Sequence, residues 1–90
     1  MSEVRELSEK YMVSIILHIR EHPGCLKTEL YMATSNNPNI PRRLDKLESM
    51  GLLTQTRTRF NGPTTLDLTI KGEKVADGLK AIDLMMRESL

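Results

Sequence analysis

"NIPRRLDKLESMGLL", Asn39 to Leu53, ends on a glycine and two leucines, and its spacing carries most of the fold. Ile40, Leu44 and Leu47 fall four and three residues apart, so they stack along one face of a helix. Arg42, Arg43, Lys46 and Ser49 fall elsewhere on the cylinder. Pro41 has no N–H and fits only in the first helical turn, where that donor has no helical acceptor. Asn39 is therefore the expected N-cap and Gly51 the expected stop. A short helix is fastened by three apolar side chains and offers Arg-Arg-x-x-Lys on its open side.

Upstream, a first helix is expected from around Val4 or Ser8 to Glu21, closed by His22-Pro23-Gly24. Its apolar residues Tyr11, Met12, Val13, Ile15, Ile16, Leu17 and Ile19 cover more than one stripe. A helix apolar most of the way round is buried on more than one side, which in so small a protein points to a second chain. Cys25-Leu26 reads as an extended link, and Lys27 to Thr34 as a two-turn helix with Leu30 and Ala33 inward. "SNNPN" is a polar turn into the third helix.

Downstream, "LTQTRTRF" (Leu53 to Phe60) alternates as a strand does, with Gln55, Arg57 and Arg59 on one face and Thr54, Thr56, Thr58 and Phe60 on the other. Asn61-Gly62 is a strong hairpin signal, since both residues tolerate positive φ. Pro63 holds the start of the return strand to an edge. Leu66 and Leu68 then point inward, with Asp67 out. Thr69 caps a last helix running to Leu90, weakened at Gly72 and Gly78 by up to ~1 kcal/mol each relative to alanine.

Ninety residues, 39% hydrophobic and 28% charged, have the balance of one globular domain over 1–90, which excludes a disordered chain. No apolar run approaches the ~20 residues of a membrane span, and no signal peptide is evident. The single Cys25 cannot form an internal disulfide. A soluble, cytoplasmic protein that does not enter membranes is expected. Net charge is only +1, but it is unevenly distributed. Residues 27–59 carry Lys27, Arg42, Arg43, Lys46, Arg57 and Arg59 against Glu29, Asp45 and Glu48, a local charge of +3, while residues 1–26 and 60–90 each come to −1.

Helix, helix, helix, β-hairpin, helix is an order that resembles the winged helix-turn-helix transcriptional regulators of bacteria and archaea, broadly the MarR, ArsR and PadR groups. The resemblance rests on "IILHIREHPG", "KTELYMAT", "RRLDKLESMGLL" and "LDLTIKGEKVADGL", from about Tyr11 to Leu79. Its most specific part is L-x-x-L-E-x-x-G-L-L followed some fifteen residues later by L-T-x-K-G. It implies a mostly α, α+β fold: a three-helix core, a β-hairpin wing and a long C-terminal helix. It also implies that the third helix is the recognition helix, with Asn39, Arg42, Arg43 and Lys46 toward the major groove of double-stranded DNA. Arg57, Arg59 and Asn61 would belong to the wing and reach the backbone or minor groove. The chain departs from the pattern at "SNNPNIP", where such regulators usually have a small hydroxyl cap and no proline pair.

Residue chemistry agrees independently. A helix fits the major groove, where arginine reads guanine and asparagine reads adenine through paired hydrogen bonds. Arginine and lysine also meet phosphates, and that electrostatic contribution supplies most of the affinity.

Other chemistries fit less well. His18, His22 and Cys25 lack a nearby fourth ligand for a structural zinc site, so no metal is expected. Cys25 suits a core position better than a redox sensor. No nucleophile–base–acid set and no phosphate-cradling glycine loop is visible, so neither an enzyme nor a cofactor is expected.

In the last helix Val75, Leu79, Ile82 and Met86 step by four, three and four, as at a coiled-coil seam, with Leu84, Met85 and Leu90 widening it. Residues 70–90 are therefore expected to form a dimerisation helix. The homodimer interface would comprise Leu79, Ile82, Met85 and Met86, with Val13 and Leu17 of the first helix. The alternative function is a winged-helix protein–protein interaction module in a larger assembly, for which the modest net charge speaks.

Overall fold

A computed structural model describes residue 5 and residues 11–34, 38–57, 59 and 62–87. The order is α1 (Met12–Glu21), β1 (Cys25–Leu26), α2 (Lys27–Ala33), α3 (Ile40–Ser49), β2 (Leu53–Arg57), β3 (Thr64–Leu68) and α4 (Ile70–Arg87). The three-helix core, the hairpin and the long last helix are those of a winged helix-turn-helix.

Met12, Ile15, Ile16 and Ile19 of α1 are buried, at the i, i+3, i+4, i+7 spacing of a single stripe. Val13 and Leu17, on the flank, are only half-buried. Val4 and Ser8, the expected starts of this helix, lie outside the described residues. Tyr11, at φ 73°, interrupts any helix running into α1, because a left-handed residue swings the chain off the helical path. Tyr11 packs half-buried against the core.

Cys25-Leu26 is more than a link. It pairs antiparallel with β3, Cys25 with Leu66 and Leu26 with Thr65, giving a sheet of order β1-β3-β2. The return strand is thus central, except at its start. Thr64 pairs only with Arg57, so Pro63 sits beyond the reach of β1, where its missing N–H costs nothing. In α2, Leu30 is buried as expected, but Ala33 is exposed. The helix turns Tyr31 rather than Ala33 against the core. Glu29 accepts the Leu26 backbone N–H at 3.4 Å, the glutamate half of a capping box.

Helix α3 begins after Asn39 with Pro41 in its first turn, as its sequence requires, although Asn39 makes no side-chain cap hydrogen bond. Ile40, Leu44 and Leu47 are all fully buried. Its end is a Schellman motif: Gly51 N–H donates to the Glu48 carbonyl at 2.9 Å and Leu52 N–H to the Leu47 carbonyl at 3.0 Å. Gly51 takes φ 78°, which a side chain would strain.

The start of α4 docks on this turn. Thr69 N–H donates to the Leu52 carbonyl at 3.0 Å, and the Thr69 hydroxyl donates to the Gly51 carbonyl at 2.6 Å. The same hydroxyl accepts the Gly72 N–H at 2.9 Å, capping α4. A Cβ on Gly72 would lie 1.8 Å from the Leu52 carbonyl oxygen, so this glycine is set by close packing and not merely tolerated. Ala76 is buried, and Val75 and Leu79 pack half-buried on the core. An ion pair between Arg20 and Asp77 ties α4 to α1. Beyond Leu79 the helix leaves the core: Ile82, Leu84, Met85 and Met86 are 49%, 54%, 62% and 81% exposed.

Candidate nucleic-acid interface

Burying Ile40, Leu44 and Leu47 fixes which sides of α3 remain open. Arg42, Asp45 and Ser49 form the outermost row, three and four residues apart, and all are exposed. Arg43 and Lys46 occupy one flank and are half-buried. Pro41 and Glu48 occupy the other flank. The helix is thus basic along one side and acidic along the other. Asn39, at its N-terminal end, is exposed. Ser49 donates its hydroxyl proton to the Lys46 carbonyl at 2.7 Å, which leaves its oxygen as an acceptor only.

The acidic flank faces β2. Gln55 Nε2 donates to Asp45 Oδ1 at 2.9 Å and to Glu48 Oε1 at 3.2 Å. The Gln55 backbone N–H donates to Glu48 Oε2 at 3.2 Å, and Lys27 Nζ of α2 donates to Gln55 Oε1 at 2.9 Å. Side chains alternate along a strand, so Leu53, Gln55 and Arg57 share one sheet face. Leu53 enters the core, Gln55 grips α3, and Arg57 emerges on the same side farther out, exposed. Lys27, Asp45, Glu48 and Gln55 were not expected as site residues. The available signal was Gln55 sharing the Arg57 face, but nothing in the spacing told what it would meet.

The hairpin differs in detail from its sequence reading. Among the described residues the last pair is Arg57–Thr64, and Thr58 and Phe60 of the expected strand lie outside them. Arg59 lies in a bend rather than on the strand, and is exposed. Its carbonyl accepts the Gly62 N–H at 2.8 Å, closing a tight turn. Gly62 fits this turn for a different reason from the expected one. It does not take positive φ, but a Cβ would come within 2.7 Å of Arg59 Cγ. Asn61 lies outside the described residues.

The other candidates lie away from this surface. Val13 and Leu17 of α1 and Leu79 of α4 are half-buried, and Ile82, Met85 and Met86 are exposed; Leu17 and Leu84 line a groove where α1 meets α4. His18 is half-buried with its ring 4.7 Å from that of His22. Cys25 is buried, and burial followed by the Glu29 carboxylate pushes its thiol up from 9.0. Among the described residues no three of His, Cys, Asp and Glu gather where a metal ion would sit, and no helix is long and apolar enough to cross a membrane.

No protein-family model matches the chain, and no curated protein matches it by sequence. Among solved structures it is similar to FabT of Streptococcus pneumoniae, in a crystal structure in complex with DNA, with a TM-score of 0.75 at 18% sequence identity. The similarity covers 93% of this chain and 64% of that one, so this chain spans less than two thirds of FabT's length. The fold is therefore a winged helix.

Proposed function

We propose that this chain is a sequence-specific double-stranded DNA-binding protein, a cytoplasmic transcription regulator that acts as a homodimer. Helix α3 enters the major groove, with Arg42, Arg43 and Lys46 on bases and phosphates and Asn39 at its leading end. The wing, through Arg57, Arg59 and Asn61, lies on the backbone or minor groove. Residues 1–90 act as one domain, and residues 70–90 join two copies.

The observation that carries this reading is the amphipathic build of α3. Its three apolar residues are fully buried, Arg42 stands exposed on its outermost row with Arg43 and Lys46 half-buried beside it, and the exposed Arg57 emerges on the sheet face from which Gln55 grips α3. FabT, which shares the fold, is seen in complex with DNA, and that supports the same class of partner here. The chemistry is binding without catalysis: guanidinium and ammonium groups displace counterions from phosphate, and base edges are read by paired hydrogen bonds.

A gel shift with generic duplex DNA at low salt, repeated at rising salt, tests it. Binding that weakens steeply as salt rises is expected. No shift at any salt concentration would favour the protein-interaction module instead.

A further inference from the structure

Every polar atom of the Gln55 side chain is engaged, and its partners come from two other elements. Its carbonyl oxygen accepts from Lys27 of α2, while its amide nitrogen donates to Asp45 and Glu48 of α3. A carboxamide is the side chain that does both, with two donors at one end and an acceptor at the other. Glutamate at this place would only accept, and would set a third carboxylate against two. Lysine would only donate, and would face Lys27. The chemistry of the neighbours also fixes which way the amide points.

We propose that Gln55 is a positioning residue that sets the angle of α3 relative to the wing, and thereby the choice among DNA sequences. The proposal rests on the DNA-binding reading above. The contacts of Ile40, Leu44 and Leu47 hold α3 on the core, but apolar packing is non-directional. The hydrogen bonds through Gln55 are directional and join α3 to the strand from which the wing grows. Base readout needs side chains held to within ~0.5 Å and ~10–20° of the productive geometry. Phosphate contacts by long, exposed arginines are far more forgiving. Loss of the clamp is thus expected to weaken discrimination more than attraction.

The test compares wild type, Gln55→Glu and the swapped pair Lys27→Gln with Gln55→Lys, which keeps the net charge and returns a donor to Asp45 and Glu48. For each, amide exchange is followed in the free protein, and affinity is measured for a duplex selected by the wild type and for a generic duplex. In Gln55→Glu, exchange is expected to quicken in β2 and the Arg59–Gly62 turn while α1 and α4 stay protected. The selected-over-generic affinity ratio is expected to fall roughly tenfold, the scale of one lost base-pair preference. The swapped pair is expected to recover both. A Gln55→Glu protein that keeps the wild-type ratio overturns the positioning role alone. A loss that the swap leaves unrepaired, with α1 and α4 still protected, overturns it as well. A wild type that selects no duplex overturns the DNA reading, and this proposal with it.

Discussion

Thr69 and Gly72 are small residues that join distant parts of the chain. One hydroxyl caps α4 and grips the Gly51 carbonyl, and one missing Cβ lets the helix backbone approach Leu52. Thr69→Ala removes both hydrogen bonds and is expected to cost ~1–2 kcal/mol. Gly72→Ala is expected to cost at least ~1–3 kcal/mol, because the atom in the way is a backbone carbonyl that cannot rotate aside. Urea unfolding of each variant measures this, and a midpoint for Gly72→Ala equal to wild type would contradict the packing described. These contacts also explain why the sequence was so legible here. L-x-x-L-E-x-x-G-L-L and L-T-x-K-G are two sides of one junction, completed where Lys71 Nζ reaches the Met50 carbonyl at 3.2 Å. Spacing within the last helix marks Gly72 as a weak point, since it does not reveal what another element presses against it.

Cys25 gives a residue-scale expectation with a definite sign. Its thiol ionises above 9.0 in the folded chain because burial and Glu29 disfavour the thiolate. The folded state therefore holds this proton after the unfolded state has released it. The resulting stabilisation is complete below the unfolded value and is lost as pH rises through the folded one. Stability should decline above about pH 9 less steeply in Cys25→Ala than in wild type. Equal slopes in urea titrations across that range would contradict the assignment.

Among the elements, α3 was legible from end to end, because its proline, its glycine and its 4-3 apolar spacing each speak for the same helix. The strands were less so. A two-residue strand has no period to detect, and β1 exists because Leu66 and Thr65 of β3 pair with it. The Thr–Arg alternation runs on past Arg57, where Thr58 and Phe60 lie outside the described residues and Arg59 sits in a bend. The clamp at Gln55 was invisible for the same reason: it is a contact among three elements. If the wing meets phosphates, replacing Arg57 and Arg59 together by alanine should weaken binding about equally on all duplexes. It should also flatten the slope of log affinity against log salt by roughly one unit per lost contact. An unchanged slope removes the wing from the interface. Arg42, on the outermost row of α3, is expected to behave differently. Arg42→Ala should relax choice at one base pair by ~1–3 kcal/mol, read by competition among single-base variants of the selected site.

At the scale of the whole molecule, the outer half of α4 carries exposed apolar surface. Ile82, Met85 and Met86 stand open to solvent there. Covering such side chains is worth up to ~1.5–3 kcal/mol each. A twofold mate would cover them, and would set two α3 helices about one DNA turn apart, ~34–36 Å. Ile82→Glu with Met86→Glu leaves the core untouched, so it is expected to give a folded monomer with much weaker DNA binding. Sedimentation shows this directly; a wild type that is already monomeric at tens of micromolar would rule out the dimer. The most direct measurement is selection of bound sites by the wild-type protein from a random duplex library. A motif of two inverted half-sites centred about 10 base pairs apart is the expected result. Recovery of no enriched sequence, from a protein that is folded and at low salt, would contradict it.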